Sequence, residues 1–569
     1  MERNWKIKKQ GDIAIVEHLM QVLGIEKALA NLLAQRGIST FNEAKAFFRP
    51  NLDDLHDPFL MKDMDKAVSR ISTALQNNEK ILVYGDYDVD GTTSVALVYS
   101  FLKKYGSNCA YYVPNRYHEG YGISFKGIDH AIEKGFSLII ALDCGIKSVE
   151  KVEYAKDHHI DFIICDHHYP GNTIPEAFAV LDPKRPDCNY PYKELSGCGV
   201  GFKLIQAFCL GKNIPFAELE SYLDLVAVSI ASDIVPITGE NRILTFHGLK
   251  RLSNSPRHGL KSILKIAGIE NKEITVDDIV FKIGPRINAA GRIETGDKAV
   301  ELLIAEDDID ATSMSGQIDA YNTTRKSIDN TITLEALEMI STHQEIKERY
   351  STVLYNSLWH KGVIGIVASR LIETYYRPTV ILTASNGLAT GSARSVDGFD
   401  LYQAIDACSD LLENFGGHMF AAGVTLKIEN IPAFMERFEN AVAKNIKQDQ
   451  LVPNVLIDTQ LELCDITPKF YRILKQFQPF GPENMLPVFL TKNVVDNGCG
   501  RIVGNTGEHL KLELIQEAEP FRVYPTIGFQ LAHHFDFIKK GNPFDICYSI
   551  EENEFRGNTS LQIRLRDIK

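Results

Sequence analysis

The stretch ILVYGDYDVDG, residues 81–91, joins a short apolar run to three aspartates. Residues Ile81 to Tyr84 have the length and composition of a buried strand, and the carboxylates follow at positions 86, 88 and 90. A helix is predicted next, over Thr92 to Tyr105. A strand, an acidic loop and a helix in this order are typical of α/β proteins, in which strand ends deliver polar side chains to one edge of a sheet.

The same pattern occurs twice more downstream. Ser137 to Leu142 is followed by Asp143-Cys-Gly145, and Asp161 to Cys165 is followed by Asp166-His-His168. Helix-length segments separate these strands, so we expect right-handed crossovers and a parallel sheet covered on both faces. The carboxyl ends of all three strands would then meet at one edge. Asp233 ends an apolar helix that could point back to that edge.

The gathered acidic residues are more than solvated turns. One such cluster alone would be read as an ordinary loop, because Asp and Gly are common in turns. Together, the carboxylates would repel one another and raise each other's pKa values unless cations neutralised them. Oxygen ligands with imidazoles and no thiolate favour Mg²⁺ or Mn²⁺ over structural zinc. Two ions about 3.5–4 Å apart suit a phosphoryl displacement by water.

Length and composition limit the classes of protein to which this chain can belong. The 569 residues predict several domains, and no apolar run is long enough to cross a bilayer. The first residues lack a secretory pattern, and the ten cysteines form no CxxC pair, so we expect reduced thiols and a cytoplasmic protein. The net charge of −13 argues against a nucleic-acid partner, but a local basic groove can coexist with an acidic metal site.

Changes in pattern along the chain predict five regions. The expected architecture is α/β, with a parallel-sheet domain and a smaller α/β domain joined by a helical span, and a small OB-like β-barrel at the end. About five short, alternating strands predict the barrel: Arg501 to Val503, His509 to Leu514, Phe521 to Ile527, Asp545 to Ile550 and Leu561 to Leu565. The predicted bounds are 1–50 (helical), 51–250 (catalytic), 251–350 (helical connection), 351–450 (second α/β domain) and 451–569 (barrel).

The order of motifs resembles the DHH phosphoesterases, a family named for the triad at 166–168. The resemblance covers nearly the whole chain, and its specificity comes from the order of many motifs. Those motifs are GDYDVDG (85–91), LDCG (142–145), DHH (166–168), ASDIV (231–235), GENR (239–242), GPRINAAGR (284–292), WHKGVIGIVASR (359–370), GSAR (391–394) and GGHMFAAG (416–423).

The resemblance implies two divalent cations, Mn²⁺ or Mg²⁺, with Asp143 bridging them. The implied metal ligands are Asp88, Asp90, Asp143, His167 and Asp233. Tyr84 stands where some relatives carry a histidine, so Asp86 is assigned to support the first metal. His168 has two open interpretations: it orients the ligands, or it lies near the leaving oxygen. The predicted catalytic groups are therefore Asp86, Asp143, His167 and His168.

The resemblance also implies substrate contacts. Ser392, Arg394 and Arg370 are expected to bind phosphate, with His418 in the same cleft, although a turn at Gly391-Ser-Ala-Arg394 is a plain structural alternative. Further candidates are Arg116, for which a charge on a surface loop is the alternative, and Arg286, Asn288 and Arg292, for which a structural hairpin is the alternative.

The implied activity is that of the single-strand-specific DNA exonucleases in this superfamily. Such an enzyme would release mononucleotides from the 5′ end, in DNA repair and recombination. One alternative is a phosphodiesterase for short oligoribonucleotides or cyclic dinucleotides, against which the terminal barrel argues. Another is a non-catalytic scaffold, against which the intact acidic residues argue. The implied partners are single-stranded DNA and a helicase or single-strand-binding protein, with no membrane and a monomer as the default.

Overall fold

The structure, a computed structural model, describes residues 2–106, 108–517, 519–555 and 558–569. The chain divides into two compact units. One contains Arg49–Lys326 and Gln478–Met485, and the other contains Met1–Phe48, Ser327–Phe477 and Leu486–Lys569. Among the described residues, no helix combines the length and apolar character that crossing a bilayer demands.

The first described element is a strand that the sequence did not reveal, and three helices follow it in the region predicted to be helical. These elements are β1 (Asn4–Ile7), α1 (Ile13–Leu23), α2 (Lys27–Gln35) and α3 (Phe41–Phe48). Asp12 caps α1 by accepting a hydrogen bond from the Ala14 N–H group, and Gly24 ends that helix in the left-handed conformation.

The predicted parallel sheet follows and is confirmed. Its five strands lie in the order β3-β2-β4-β5-β6, and every pair is parallel. The strand order reverses at β2, and ligand sites of open α/β sheets form at such switch points. The elements are α4 (Met64–Gln76), β2 (Lys80–Gly85), α5 (Val89–Lys104), β3 (Asn108–Tyr112), α6 (Phe125–Lys134), β4 (Leu138–Leu142), α7 (Val149–Asp157), β5 (Asp161–Cys165), β6 (Ala179–Leu181), α8 (Gly197–Gly211), α9 (Ala217–Glu220), α10 (Leu223–Ser232) and α11 (Gly239–Asn254).

Both faces of this sheet are buried, which explains why its strands are continuously apolar. Ile81 and Val83 pack into the core built with α5, α8 and α10, whereas Leu82 and Tyr84 pack into the core beneath α6 and α7. Successive side chains of a strand point to opposite faces, so a strand covered on both sides needs apolar residues at every position.

A helical span links this sheet to the next, as predicted. A short π-helical segment, Ile279–Ile283, precedes α14 within the span. Its helices are α12 (His258–Ile266), α13 (Val276–Asp278), α14 (Gly284–Ile293), α15 (Asp297–Leu303), α16 (Asp308–Thr342) and α17 (Gln344–Lys347).

The second α/β segment is a five-stranded mixed sheet in the order β10-β11-β9-β8-β7. Residues 391–394 lie within β9, so the alternative interpretation of them as a turn is wrong. Gly391 is required there because a Cβ would lie 2.4 Å from the Leu382 side chain. The elements are β7 (Thr352–Tyr355), α18 (Ile364–Thr374), β8 (Thr379–Ser385), β9 (Leu388–Arg394), α19 (Leu401–Asp406), β10 (Leu412–Gly417), β11 (Ala421–Leu426) and α20 (Ile431–Asn445).

The C-terminal region forms a closed five-stranded barrel, which confirms the predicted architecture. The elements here are β12 (Asn454–Ile457), β13 (Thr459–Gln460), α21 (Pro468–Lys475), β14 (Phe489–Asp496), β15 (Arg501–Val503), β16 (His509–Gln516), β17 (Glu519–Gly528), α22 (Phe535–Ile538), β18 (Phe544–Phe555) and β19 (Asn558–Ile568). The ring runs β14-β18-β19-β17-β16 and closes through pairing of β16 with β14. The N-terminal β1 pairs in parallel with β12, and the Trp5 indole donates to Asp567 at 2.7 Å.

One strand of the predicted barrel needs correction. The sequence places Arg501 to Val503 within the ring, but among the described residues β15 pairs with β16 alone and lies outside the ring. The fifth member of the ring is β14, which the sequence did not reveal. Alternation was hard to detect there because the register shifts between Thr491 and Val494.

Candidate metal centre

The acidic loop after β2 is shaped by Gly91 and by the start of α5. Asp88 caps α5, because its Oδ1 accepts a hydrogen bond from the Gly91 N–H group at 3.0 Å. A Cβ at position 91 would lie 2.3 Å from the carbonyl oxygen of Asp86, so only glycine fits. This tight turn buries Asp86 and Asp90 at the edge of the sheet.

Asp90 is fixed from three directions. Its Oδ2 accepts a hydrogen bond from the Gly197 N–H group at 2.6 Å, and its Oδ1 accepts from the Cys198 N–H group at 2.8 Å. Both donors are at the N-terminal end of α8, which favours a negative charge. The Ser229 hydroxyl on α10 donates to the same Oδ1 at 2.7 Å. The carboxylate therefore has little freedom to turn away from the site.

Asp143 stands directly after β4 in a backbone conformation that is rare for a residue with a side chain. Its φ is +58°, in the left-handed region. Gly197 packs against it so closely that a Cβ there would lie 2.6 Å from the Asp143 Cβ. Such local strain is typical of residues that a functional site holds in place.

His167 is the centre of the site. Its Nε2 atom lies 3.2 Å from Asp143 Oδ1, 3.5 Å from Asp233 Oδ2 and 3.6 Å from Asp90 Oδ2. Asp233 follows the last residue of α10, as the sequence predicted. Four separated stretches of the chain thus deliver these side chains to one point. Burial lowers the pKa of His167 to about 4, so the imidazole is neutral near pH 7.

The His168 ring lies 4.6 Å from the His167 ring, but its two nitrogens have different partners. Asp166 Oδ1 lies 2.7 Å from His168 Nδ1 and also accepts the backbone N–H groups of residues 167 and 168, while its Oδ2 accepts from the Ile146 N–H group. On the other side of the ring, Nε2 lies 3.1 Å from the hydroxyl of Tyr121. The contact with Asp166 raises the pKa of His168 to about 9 despite burial. Asp166 is therefore an orienting group in this structure.

The carboxylates of the site lie close together; Asp86 and Asp143 are buried, and Asp233 is partly exposed. Burial, with repulsion from Asp90 and Asp88, holds the pKa values of Asp143 and Asp233 well above the ordinary range. Burial and repulsion from Asp88 do the same for Asp86. Carboxylates placed so close in a buried site need positive charge to stay ionised.

The donor set fits divalent metal ions. In the part of the chain that the structure describes, two groups offer ligand atoms within 4.8 Å of one another: Asp143 with His167 and His168, and Asp90 with His167 and Asp233. Both ring nitrogens of His167 are buried and accept or donate no hydrogen bond in the described structure, and the same is true of Asp86 Oδ2. A set of ligands rich in carboxylate oxygens and without a thiolate suits Mn²⁺ and Mg²⁺. Neither Asp86 nor Asp88 belongs to these two groups, but both lie beside them.

Two of the predicted substrate contacts lie near this site. The Arg116 guanidinium stacks 4.8 Å from the centre of the Tyr87 ring and lowers the pKa of Asp86 in opposition to burial. Arg292, on α14, accepts a hydrogen bond from the Tyr117 hydroxyl at its backbone carbonyl. Burial raises the pKa of Tyr87, and the positive charge of the Arg292 guanidinium lowers it.

The other two candidates of this region lie on α14. Arg286 forms an ion pair with Asp319 at 2.9 Å and donates to the Lys282 carbonyl oxygen. Arg286 is therefore engaged within the helical span, and the alternative of a structural hairpin is wrong because residues 284–293 form a helix. Asn288 is half-buried on the same helix.

Four of the predicted substrate contacts belong to the second α/β segment. Three of them lie on β9 or in the hairpin between β10 and β11, and the fourth, Arg370, lies on α18. The Arg394 guanidinium donates to the Ser392 hydroxyl at 2.9 Å, and His418 lies in the hairpin after β10. A Cβ at Gly365 of α18 would lie 2.9 Å from both Arg394 Nη2 and Ser392 Oγ. Arg370 is engaged elsewhere, because it contacts Asp329 at 2.9 Å and the Asn330 side chain at 2.6 Å.

Three functional neighbours were missed at the sequence level. Ser229 and Tyr121 touch the predicted ligands but lie outside the acidic motifs. Asp182 follows β6 at the same edge of the sheet, in the same strand-then-acid pattern, and this signal could have found it. Burial, with repulsion from Asp166, raises the pKa of Asp182 to about 7.

Three protein-family models match the chain, one at the parallel sheet, one at the second sheet and one at the barrel. Residues 80–230 match the DHH family, N-terminal domain; residues 350–444 match the DHHA1 domain; residues 457–567 match the RecJ OB domain. The parallel sheet with its carboxylate and imidazole edge therefore defines a metal-dependent hydrolase of the DHH class.

Individual proteins that resemble this chain narrow the assignment further than the family models do. A Bacillus subtilis protein described as single-stranded-DNA-specific exonuclease RecJ is 36% identical over 565 residues, covering 99% of this chain and 70% of the relative. The Escherichia coli protein of the same description is 33% identical, with 95% of both chains covered. The crystal structure of RecJ in complex with Mn²⁺ from Thermus thermophilus superposes with a TM-score of 0.85 at 26% identity, covering all of this chain and 79% of that one. The chain belongs to the RecJ family.

Proposed function

We propose that this protein is a single-stranded-DNA-specific exonuclease that hydrolyses phosphodiester bonds from the 5′ end and releases mononucleotides. The single observation that carries the proposal is the position of His167 Nε2, within 3.2–3.6 Å of three carboxylates from separate segments. The RecJ relatives are named single-stranded-DNA-specific exonucleases, and a related structure was solved with Mn²⁺.

The side chains of the acidic edge would hold the ions. Asp90, Asp143, His167 and Asp233 would bind two divalent cations, with Asp88 and Asp86 beside them. When bound, Mn²⁺ or Mg²⁺ would supply an activated water and neutralise charge on the phosphate.

The protein's own residues position the phosphodiester. Asp166 fixes the Nδ1–H side of His168, so Nε2 faces the site beside the Tyr121 hydroxyl and can carry a proton to the departing oxygen. The guanidinium of Arg116 lies near the same carboxylates and can bind phosphate. Ser392 and Arg394 offer a hydroxyl and a guanidinium to a phosphate of the strand.

The closed barrel favours DNA over a dinucleotide as the substrate. Small barrels of this type bind single strands through backbone charge and stacking. A role in DNA repair and recombination, a cytoplasmic location, a monomeric state and a helicase or single-strand-binding partner belong to the same proposal.

End-labelled oligonucleotides test this function directly. Single-stranded and duplex DNA, labelled at either end, are incubated with the protein in Mn²⁺, in Mg²⁺ and in EDTA. We expect metal-dependent release of mononucleotides from the 5′ end of the single strand, with the dinucleotide a poorer substrate. An Asp143→Ala variant that keeps its circular dichroism spectrum but loses hydrolysis supports the metal mechanism. Equal cleavage of the duplex, or full activity in that variant, contradicts the proposal.

A further inference from the structure

The loops after β5 and β6 run side by side at the edge of the sheet that carries the metal centre. Cys165 pairs with Leu181 at the ends of these parallel strands, and the Asp166 N–H group donates to the Leu181 carbonyl oxygen at 3.0 Å. His167 lies in the loop after β5, and Lys184 lies in the loop after β6. Parallel strands in register end at the same edge of a sheet, so Lys184 belongs to the same edge as the metal ligands.

The side chain of Lys184 lies over an aromatic ring of the neighbouring loop. Its ammonium is 5.1 Å from the centre of the Tyr169 ring, and Tyr169 directly follows His168. Tyr169 is 71% exposed, whereas the Lys184 side chain is only 11% exposed. The face of an aromatic ring attracts a cation. The contact therefore holds the ammonium against the loop of the triad and keeps it from extending into solvent.

The charge of Lys184 acts on two of the predicted metal ligands. Burial raises the pKa of Asp233, and the positive charge of Lys184 opposes this rise. Burial lowers the pKa of His167 to about 4, and Lys184 acts in the same direction. A charge changes a pKa in this way when it lies nearby. Arg116 acts instead on Asp86, whose pKa burial raises. The two cations therefore lie beside different carboxylates of the site.

An ion pair with Glu194 is the structural alternative for Lys184. The ammonium lies 3.3 Å from the Glu194 Oε2 atom. Such a partner keeps a largely buried lysine charged. An ammonium has three N–H donors, and one carboxylate oxygen at this distance engages one of them. The ion pair with Glu194 therefore leaves the ammonium able to contact a second anion.

We propose that Lys184 binds a phosphate oxygen of the single strand, at the side of the metal centre where Asp233 lies. A lysine ammonium is a compact point charge that suits phosphate. Positive charge fixed beside a phosphoryl group also stabilises the charge that develops on it during hydrolysis. The inference rests on the proposed function, and it adds a substrate-binding residue to that site.

The variants separate phosphate binding from a structural ion pair. Lys184→Met removes the charge and keeps the length of the side chain, Lys184→Arg keeps the charge, and Glu194→Gln removes the partner alone. The control is Lys156→Met, which also breaks a lysine–glutamate pair, at 3.2 Å with Glu176. Lys156 is in the last turn of α7, which runs back from the edge of the metal ligands to the start of β5. Lys184→Gln takes the place of Lys184→Met should circular dichroism show that the latter does not fold.

Hydrolysis of an end-labelled single strand in Mn²⁺ gives the first readout. Lys184→Met should lower kcat/KM by about 10- to 100-fold, the range for losing a hydrogen bond to a charged group. Lys184→Arg should keep most of the activity, and Glu194→Gln and Lys156→Met should stay near the wild-type value. Equal losses in Lys184→Met and Glu194→Gln would show that only the ion pair matters, and this result would overturn the proposal.

Binding at several salt concentrations gives a readout that a structural role would not change. Fluorescence anisotropy is measured in Mn²⁺ with a strand whose 5′ linkages are phosphorothioates, which resist hydrolysis. Each phosphate contact adds about 0.7 to the slope of log K against log salt for a single strand, so Lys184→Met should reduce that slope by about 0.7. Lys156→Met should not change it.

The two measurements also separate this inference from the proposed function. A smaller slope in Lys184→Met, with no cleavage of the unmodified strand by the wild type, would refute the nuclease and retain the phosphate contact. Cleavage by the wild type, with an unchanged slope in Lys184→Met, would refute the phosphate contact alone.

Discussion

The Nδ1 atom of His168 lies 2.7 Å from Asp166 Oδ1, and this carboxylate is buried. The same carboxylate accepts three backbone N–H groups, from residues 146, 167 and 168. These bonds, with the attraction of His168, hold the pKa of Asp166 well below its ordinary range although burial opposes them. The first residue of the triad therefore orients the other two.

Asp166→Asn should lower kcat/KM by about 10- to 100-fold, the usual range for groups that orient metal ligands. The amide keeps the size of the side chain but no longer fixes the tautomer of His168. Steady-state hydrolysis of a single strand measures the effect. Asp161→Asn, at the other end of the same strand, is the control, and equal activity of both variants would contradict the orienting role.

Gly197→Ala should lower kcat/KM by about 100-fold, because its Cβ would lie 2.6 Å from the Asp143 Cβ and displace that ligand. The matched control is Gly211→Ala at the other end of α8, where the nearest atom to the added Cβ is 3.6 Å away. The control should keep full activity. Similar activity of the two variants would show that the position of Asp143 is not critical.

Added Mn²⁺ should raise the melting temperature of the wild type, by an amount equivalent to about 2.7 kcal/mol when free metal is 100 times its Kd. Asp143→Ala should show little of this shift. Because the pKa values of Asp143 and Asp233 are raised, protons compete with the metal, and the shift should be larger at pH 8 than at pH 6. Differential scanning fluorimetry measures it; an equal shift in wild type and variant would count against the site.

Asp182→Asn should change how stability depends on pH. The folded-state pKa of Asp182 is about 7 and the unfolded value is about 3.9, so between these values the folded protein binds a proton that the unfolded chain lacks. Stability of the wild type therefore falls as pH rises through this window, and the penalty is full above pH 7. The melting temperatures of both proteins are measured in EDTA at pH 5 and at pH 8. The melting temperature of the variant minus that of the wild type should be larger at pH 8 than at pH 5. A constant difference would contradict the buried-acid assignment.

The sequence predicted the strands of the parallel sheet well because their burial on both faces leaves a continuous apolar signal. In the second sheet it predicted the strands at Thr352 to Tyr355 and Thr379 to Thr383, which are β7 and β8, but not β9, β10 or β11. β9 alternates small residues, and β10 and β11 contain the three glycines of the GGHMFAAG segment, so none of these strands has an apolar signature. β1 was missed for another reason: its partner, β12, is more than 400 residues away.

The sequence by itself determined which side chains follow which strands, and hence that acids and imidazoles collect at one edge, because parallel strands all end on the same side of a sheet. Only the tertiary structure decided what each of them contacts. The triad at 166–168 is one continuous stretch, yet Asp166 turns to His168 and the Ile146 N–H group, while His167 turns to three carboxylates from elsewhere in the chain. Side-chain direction at a strand end depends on neighbours that are distant in sequence, and spacing alone carries no information about them.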